Sequence, residues 1–326
     1  MPDGATTTPP IAVPSTTAGE ARLLLGGPIA TEIRAGVKAD VEAFQAINGY
    51  PPGLAVVIVG ADAPSAVYLK QILRSCRTVG IEGRMVELSG EVSGQLLRRR
   101  ILELNDDPLI SGIIVQMPLP PEIPLAVVTG SIDPAKDVDG IHPLNAGRLL
   151  LGHPGFVPTT AQAAVELLKR SGIELRGREV VVIGRSNVVG KPAAVLLTRE
   201  DATVTVCHSR SRDLAGHLAR ADVVVVAAGR PGLVTAAMVK PGVVVVDIGI
   251  NVVNRGAADE RIVGDVDFES VKAIASAITP VPGGVGPVTN ALLMTHVLEA
   301  AMAQSALAQA TSVRSTSAIA AGVVSQ

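Results

Sequence analysis

The sequence predicts an α/β protein of two domains, each built on a mostly parallel sheet, and three observations carry that expectation. Short β-branched runs alternate with helical patterns in two separate series, and a segment rich in Pro, Gly and Asn, from Asp133 to Gly155, divides them. The length of 326 residues also exceeds the roughly 100–200 of a typical single domain. With hydrophobic residues at 48% and charged residues at 18%, the chain has the material for extensive cores and not the composition of a disordered one.

In chain order, Leu54 to Val59 reads as a strand, Ser65 to Val79 as a helix, and Arg84 to Leu88 as a strand. Ser93 to Leu104 then reads as a helix and Ile110 to Val115 as a strand, completing β-α-β-α-β. The Asp133 to Gly155 segment reads as a hinge that carries function. Beyond it, Glu179 to Ile183 is almost purely Val and Ile, as expected of a strand covered by helices on both faces. A loop from Gly184 to Gly190, a helix through Leu197, and strands at Thr203 to Cys207, Asp222 to Ala227 and Val243 to Asp247 make a doubly wound half. Residues 1–20, rich in Thr, Pro and Ala, and residues 305–326, rich in Ala, Ser and Thr, read as mobile tails.

Charge and composition narrow the partners. The chain carries 28 basic and 30 acidic residues with no block of like charge, so neither a nucleic acid nor a membrane surface is an expected partner. Three Phe, two Tyr and no Trp leave little for stacking on bases. Cys76 and Cys207 stand far apart with no CxxC and no His cluster, which argues against a disulfide framework or a metal site and for a reducing cytoplasm. The N-terminus lacks the basic start and apolar run of a signal peptide, and apolar runs break short of the roughly 20 residues a membrane span needs. A small molecule is the expected partner.

The loop between Gly184 and Gly190 sits where backbone N–H groups and a helix N-terminus accept phosphate. Its two glycines are six apart, a variant of the usual dinucleotide fingerprint whose strand-loop-helix-strand context supports it against the alternative of an ordinary αβ turn. After the second strand, where an acidic residue would bind the ribose of NAD, come His208, Ser209, Arg210, Ser211 and Arg212. These suit the 2′-phosphate of NADP, with Arg185 as a further cation; solvated surface arginines are the competing reading.

Near the C-terminus, Thr279 to Thr289 contains three Pro and three Gly, a composition that fixes a rigid binding loop ahead of a helix. This segment, the Gly184 to Pro192 loop, the run from Val115 to Pro120 and the run from Lys136 to Gly140 together resemble the bifunctional methylenetetrahydrofolate dehydrogenase/cyclohydrolase family, over about Leu23 to Ala303. The resemblance implies a catalytic, folate-binding domain at residues 21–150 completed by a helix at 288–304. It further implies a Rossmann-like NADP-binding domain at 151–287, a folate cleft between the two, and a homodimer. It implies oxidation of 5,10-methylenetetrahydrofolate by NADP, then hydrolysis of the methenyl product to 10-formyltetrahydrofolate. Tyr68, Gln116 and Asp139 take the catalytic positions, joined by Pro118, Gly286 and Pro287 in binding tetrahydrofolate derivatives. Gly184, Arg185, Ser186, Gly190, His208, Ser209, Arg210, Gly229 and Ile250 take the cofactor positions, and no metal is implied.

One position departs from the family. A lysine one helical turn after Tyr68 faces the folate in the family, and here that position is Ile72. Lys70 lies about 200° around the helix from Tyr68, against about 40° for Ile72, so it cannot substitute. Hydride transfer is mainly a matter of positioning, whereas water attack needs proton movement worth ~10²–10⁴-fold. The sequence therefore predicts a dehydrogenase with a compromised hydrolytic step, or with Tyr68, Gln116 and water managing it slowly. The alternative is a catalytically silent homologue that binds folate or nucleotide.

Overall fold

The computed structural model of the protein describes residues 20–60, 63–257 and 259–322, with side chains described among them except at 63–68 and 311–322. In chain order the first elements are β1 (Arg22–Leu23), α1 (Gly26–Asn48), β2 (Gly53–Val59), α2 (Ala63–Val79), β3 (Glu82–Leu88), α3 (Gly94–Asp106) and β4 (Gly112–Val115). There follow α4 (Leu125–Thr129), α5 (Pro143–Leu151), α6 (Thr159–Arg170), β5 (Glu179–Ile183), α7 (Gly190–Arg199), β6 (Thr203–Cys207), α8 (Leu214–Leu218) and β7 (Val223–Val226). The last are β8 (Val244–Asp247), β9 (Asn251–Val253), β10 (Arg261–Val263), α9 (Phe268–Lys272), β11 (Ala277–Ile278) and α10 (Val285–Gly322). Of the described residues, 20–30 and 160–289 form one compact unit and 31–159 and 290–322 another.

The second of these units has a parallel three-stranded sheet in the order β3-β2-β4. All seven residues of central β2 are buried, which is why it reads as a continuous apolar run. Its alternation serves two cores. Leu54, Val56 and Ile58 join Leu69, Ile72, Cys76 and Val79 of α2 and Leu293, Met294 and Val297 of α10. Ala55, Val57 and Val59 face the opposite way, with Leu97, Ile101 and Leu104 of α3. Helix α3 starts where the Ser93 side chain accepts from the Leu96 amide at 3.2 Å.

The other unit has six strands in the order β1-β11-β8-β7-β5-β6, every neighbouring pair parallel. The Val-rich strands β5, β7 and β8 fill its centre, and β9 and β10 form a separate antiparallel pair.

Four expectations from the sequence need adjustment. The expected catalytic domain began at residue 21, yet β1 pairs with β11, so this stretch belongs to the six-stranded sheet. The expected hinge contains α5, whose start is set by Pro143 in the first turn and by the His142 ring accepting from the Leu144 amide. The expected C-terminal tail from residue 305 is helical to Gly322, because its Ala-rich sequence favours continuing α10. Within α10, Val285–Ala310 is by length and composition apolar enough to cross a membrane, where no such stretch was expected. That apolarity serves a core through Leu293, Met294, Val297 and Leu298. The expected N-terminal tail lies outside the described residues apart from Glu20.

Met294→Ala, at a fully buried core position, should lower the unfolding free energy by about 2–5 kcal/mol, whereas Leu150→Ala on the exposed side of α5 should stay within about 0.5 kcal/mol. Urea unfolding of the two variants measures this, and equal losses would contradict the core assignment.

Candidate functional site

The six-stranded unit gathers the predicted cofactor residues at one edge of its sheet. Because all its strands run parallel, the loops after β5, β6, β7 and β8 leave from the same edge. They carry, in turn, Gly184 to Gly190, His208 to Arg210, Gly229, and Ile250. The chain passes from β5 to β6 on one side and then to β7 on the other, so the glycine loop after β5 stands where strand order reverses.

Close backbone approach explains the two glycines. Gly184 has φ +124°, and a Cβ there would strike the Ala227 carbonyl; a Cβ at Gly190 would strike the Gly184 carbonyl. The six-residue spacing thus closes a tight loop with its own packing logic. Within it, Ser186 Oγ accepts from the amides of Val189 and Gly190 at 3.1 and 3.4 Å, which organises the start of α7. After β6, Ser211 Oγ accepts from the His208 amide at 2.9 Å and the His208 ring from the Arg210 amide at 3.2 Å. Arg185, Ser209 and Arg210 are exposed, and neither arginine forms an ion pair among the described residues. Two unpaired guanidiniums beside a glycine loop fit a phosphorylated dinucleotide.

The three-stranded unit holds the other predicted residues. Half-buried Gln116 follows β4, with its backbone amide on Val57 O and its side-chain amide donating to Met117 O, both at 2.8 Å. The Met117–Pro118 peptide is cis, and Pro118 is exposed. The run Lys136 to Gly140 is tied beside β4 by the Ile113 amide, which donates to Lys136 O at 2.8 Å. Lys136 Nζ donates to Asp107 O at 2.8 Å, and fully buried Asp137 accepts from the amides of Ile141 and His142 and from Asn145 Nδ2. These contacts make Asp137 and Asn145 architectural.

Asp139 differs from Asp137 in its company. Among the described residues its carboxyl accepts one side-chain hydrogen bond, from Thr159 Oγ1 at 2.6 Å, and burial pushes its pKa up to about 6 despite that bond and with help from nearby Asp137. Just before it, the Val138 carbonyl accepts from His296 Nδ1 at 2.8 Å; burial lowers the pKa of this histidine, whose ring also packs on Phe156. Thr159 and His296 were missed in the sequence because they lie 20 residues from Asp139 and 158 from Val138, with no local pattern linking them.

Ile72 is fully buried among Leu69, Cys76, Val79 and Met294, on the apolar stripe of α2. Tyr68 lies on α2, but its side chain is outside the described residues. Gly286 is exposed and Pro287 half-buried in the first turn of α10.

A family model of the tetrahydrofolate dehydrogenase/cyclohydrolase catalytic domain matches residues 24–139, and one of the corresponding NAD(P)-binding domain matches residues 158–305. The chain belongs to the tetrahydrofolate dehydrogenase/cyclohydrolase family. It is 49% identical over 282 residues to a bifunctional protein FolD from Roseiflexus sp., covering 86% of this chain and 96% of the relative. It is similar to the crystal structure of the bifunctional methylenetetrahydrofolate dehydrogenase/cyclohydrolase from Campylobacter jejuni, with a TM-score of 0.83, 41% identity, and coverage of 87% of this chain and 99% of that one. The Trypanosoma brucei dehydrogenase-cyclohydrolase, solved with NADP cofactor and inhibitor, is similar with a TM-score of 0.84, 38% identity, and coverage of 88% and 99%. Within this family chain, the NAD(P)-binding match spans every loop that carries the glycines and free arginines.

The pKa shifts have a direction for stability. Asp139 and Asp247 each rise from 3.8 to about 6 on folding, so each binds its proton more tightly in the folded state. Their contribution to stability is present below the unfolded value and is lost as pH rises through the folded one. Thr159→Val removes the bond that holds the Asp139 value down and should raise it above about 6. Carboxyl carbon NMR titration of the two proteins measures this, and an unchanged or lower value would contradict the pairing.

Proposed function

We propose that the chain oxidises 5,10-methylenetetrahydrofolate to 5,10-methenyltetrahydrofolate with NADP, and that its hydrolysis of that product to 10-formyltetrahydrofolate is weak. The observation that carries the first half is the convergence of the glycine loop and the free arginines at one edge of a parallel sheet, in a chain of this family. NADP, when bound, supplies the hydride acceptor. The amides of the Gly184 to Gly190 loop and the start of α7 bind its pyrophosphate, while Arg185, Ser209 and Arg210 bind the 2′-phosphate. His208, Gly229 and Ile250 complete the cofactor contacts, and Ser186 holds the loop in shape.

Tetrahydrofolate is bound by Tyr68, Gln116, Pro118, Asp139, Gly286 and Pro287. Asp139 is the group that accepts hydrogen bonds from the pterin, in its charged form, so folate binding strengthens as pH rises through about 6. The side-chain amide of Gln116 donates to Met117 O. The second half of the proposal rests on Ile72, whose buried apolar side chain offers no proton and no charge to water attack. Two buried free thiols, Cys76 and Cys207, support a reducing cytoplasm as the site of action. The family resemblance supports a homodimer, which sedimentation equilibrium tests by mass.

The test of cofactor and reaction is NADPH formation with methylenetetrahydrofolate. NADP should be used in preference to NAD, and Arg210→Ala should narrow the preference about tenfold or more, as expected for losing a charge-assisted contact. Equal turnover with NAD by the unmodified protein would overturn the 2′-phosphate assignment.

Restoring a lysine tests the hydrolytic half. Ile72→Lys should raise methenyltetrahydrofolate hydrolysis above the background of the unmodified protein, by up to the ~10²–10⁴-fold that a positioned acid or base supplies. It should also lower thermal stability, because the ammonium enters an apolar cluster that depresses its pKa. A folded Ile72→Lys protein with no gain in hydrolysis would show that the step is limited elsewhere.

A further inference from the structure

Two buried carboxylates, Asp247 and Asp265, underlie the cofactor edge of the six-stranded sheet, and neither is among the site residues expected from the sequence. Asp265 is fully buried, yet its two oxygens accept four hydrogen bonds. Oδ2 accepts from the amides of Ala228 and Gly229 at 2.6 and 2.8 Å; Oδ1 accepts from the Arg230 amide at 2.7 Å and Asn251 Nδ2 at 2.9 Å. One side chain therefore holds three consecutive amides of the loop after β7 and the first residue of β9, immediately beyond the loop after β8.

Asp265 is itself held. Its amide and that of Val266 donate to the Asp247 carboxylate at 3.0 and 2.8 Å, and the Gly249 amide donates to the same carboxylate at 2.9 Å. Asp247, the last residue of β8, has its own amide on Thr279 Oγ1 at 2.8 Å. Room for these carboxylates exists because two neighbours lack a side chain. A Cβ at Gly249 would strike the Asp265 carboxylate, and one at Gly264 would strike that of Asp247.

A charged side chain buried without a cation is costly unless donors surround it, and here the donors are the backbone of the loops that carry Gly229 and Ile250. Such amides, if left unpaired, would sample many conformations or bond to water. Fixing them sets the backbone surface that a dinucleotide meets.

We propose that Asp265 is a positioning residue for NADP binding, clamping the loops after β7 and β8 in the shape that receives the cofactor. The proposal rests on the dinucleotide reading given above. Asp265→Asn keeps the volume but turns one acceptor oxygen into an NH₂ that opposes an N–H donor. It should raise the Kd for NADPH and the KM for NADP about tenfold or more, with kcat at saturating NADP and the KM for folate each changed less than about threefold. A residue that served global stability alone would not produce that split.

NADPH fluorescence on binding is measured for the unmodified protein, Asp265→Asn and Asn251→Ala, with circular dichroism as the check on folding. If the unmodified protein fails to bind NADPH, the dinucleotide reading falls and the proposal with it. If it binds, and a folded Asp265→Asn protein binds as tightly, the proposal alone is overturned. Should Asp265→Asn fail to fold, Asn251→Ala, which removes one donor from the carboxylate, decides: a Kd raised about threefold or more supports the clamp and an unchanged Kd overturns it.

Discussion

Parallel pairing of six strands is the constraint from which the cofactor side of this protein follows. Strands that all point one way deliver all their outgoing loops to a single edge, so residues far apart in sequence, from Gly184 to Ile250, meet there without any special local signal. The same geometry brings many backbone amides to that edge with no sheet partner. Asp247 and Asp265 answer this need, one at the end of β8 and the other held by it, and the glycines at 249 and 264 are the sequence correlate of their fit. Arg185 and Arg210 on the neighbouring loops are exposed and form no ion pair among the described residues, which leaves their charge for a ligand.

In the three-stranded unit the governing feature is β2, buried on both faces. Its even-numbered residues and the apolar stripe of α2 share a core, and that stripe includes position 72. A lysine at this position would have to turn its ammonium out of the core or find a buried partner, whereas isoleucine completes the packing. On the proposed reading, an apolar group here would weigh on the hydrolytic half-reaction and not on hydride transfer, because only the former moves a proton to or from water.

Much of this was legible in the sequence for physical reasons. Strand β5 was read with the bounds it has because a buried parallel strand is a continuous run of β-branched residues ending at glycine, and edge strand β6, of which only Cys207 is buried, because its Thr-Val run is β-branched and ends at a polar turn. The Gly184 and Gly190 pair was legible because the close backbone approach of a strand-loop-helix turn is local, whereas Asp139 was singled out by the resemblance of the run Lys136 to Gly140. Strands β1 and β11 have two residues each and are strands only by virtue of their neighbours, so no periodicity announces them. Helix α5 was hidden by the Pro and Gly around it, although Pro143 after His142 was its starting signal. Thr159, His296 and Asp265 owe their roles to partners 14 to 158 residues away, and a contact of that range leaves no trace in a single sequence.

The central claim is that this chain retains hydride transfer while its hydrolytic step is weak. The most direct measurement is the partition of product by the unmodified enzyme: methylenetetrahydrofolate and NADP are mixed with excess enzyme, quenched over time, and methenyl- and 10-formyltetrahydrofolate are counted against NADPH formed. The account predicts that methenyltetrahydrofolate accumulates nearly one for one with NADPH, with 10-formyltetrahydrofolate appearing far more slowly than NADPH. Formation of 10-formyltetrahydrofolate in step with NADPH would contradict it.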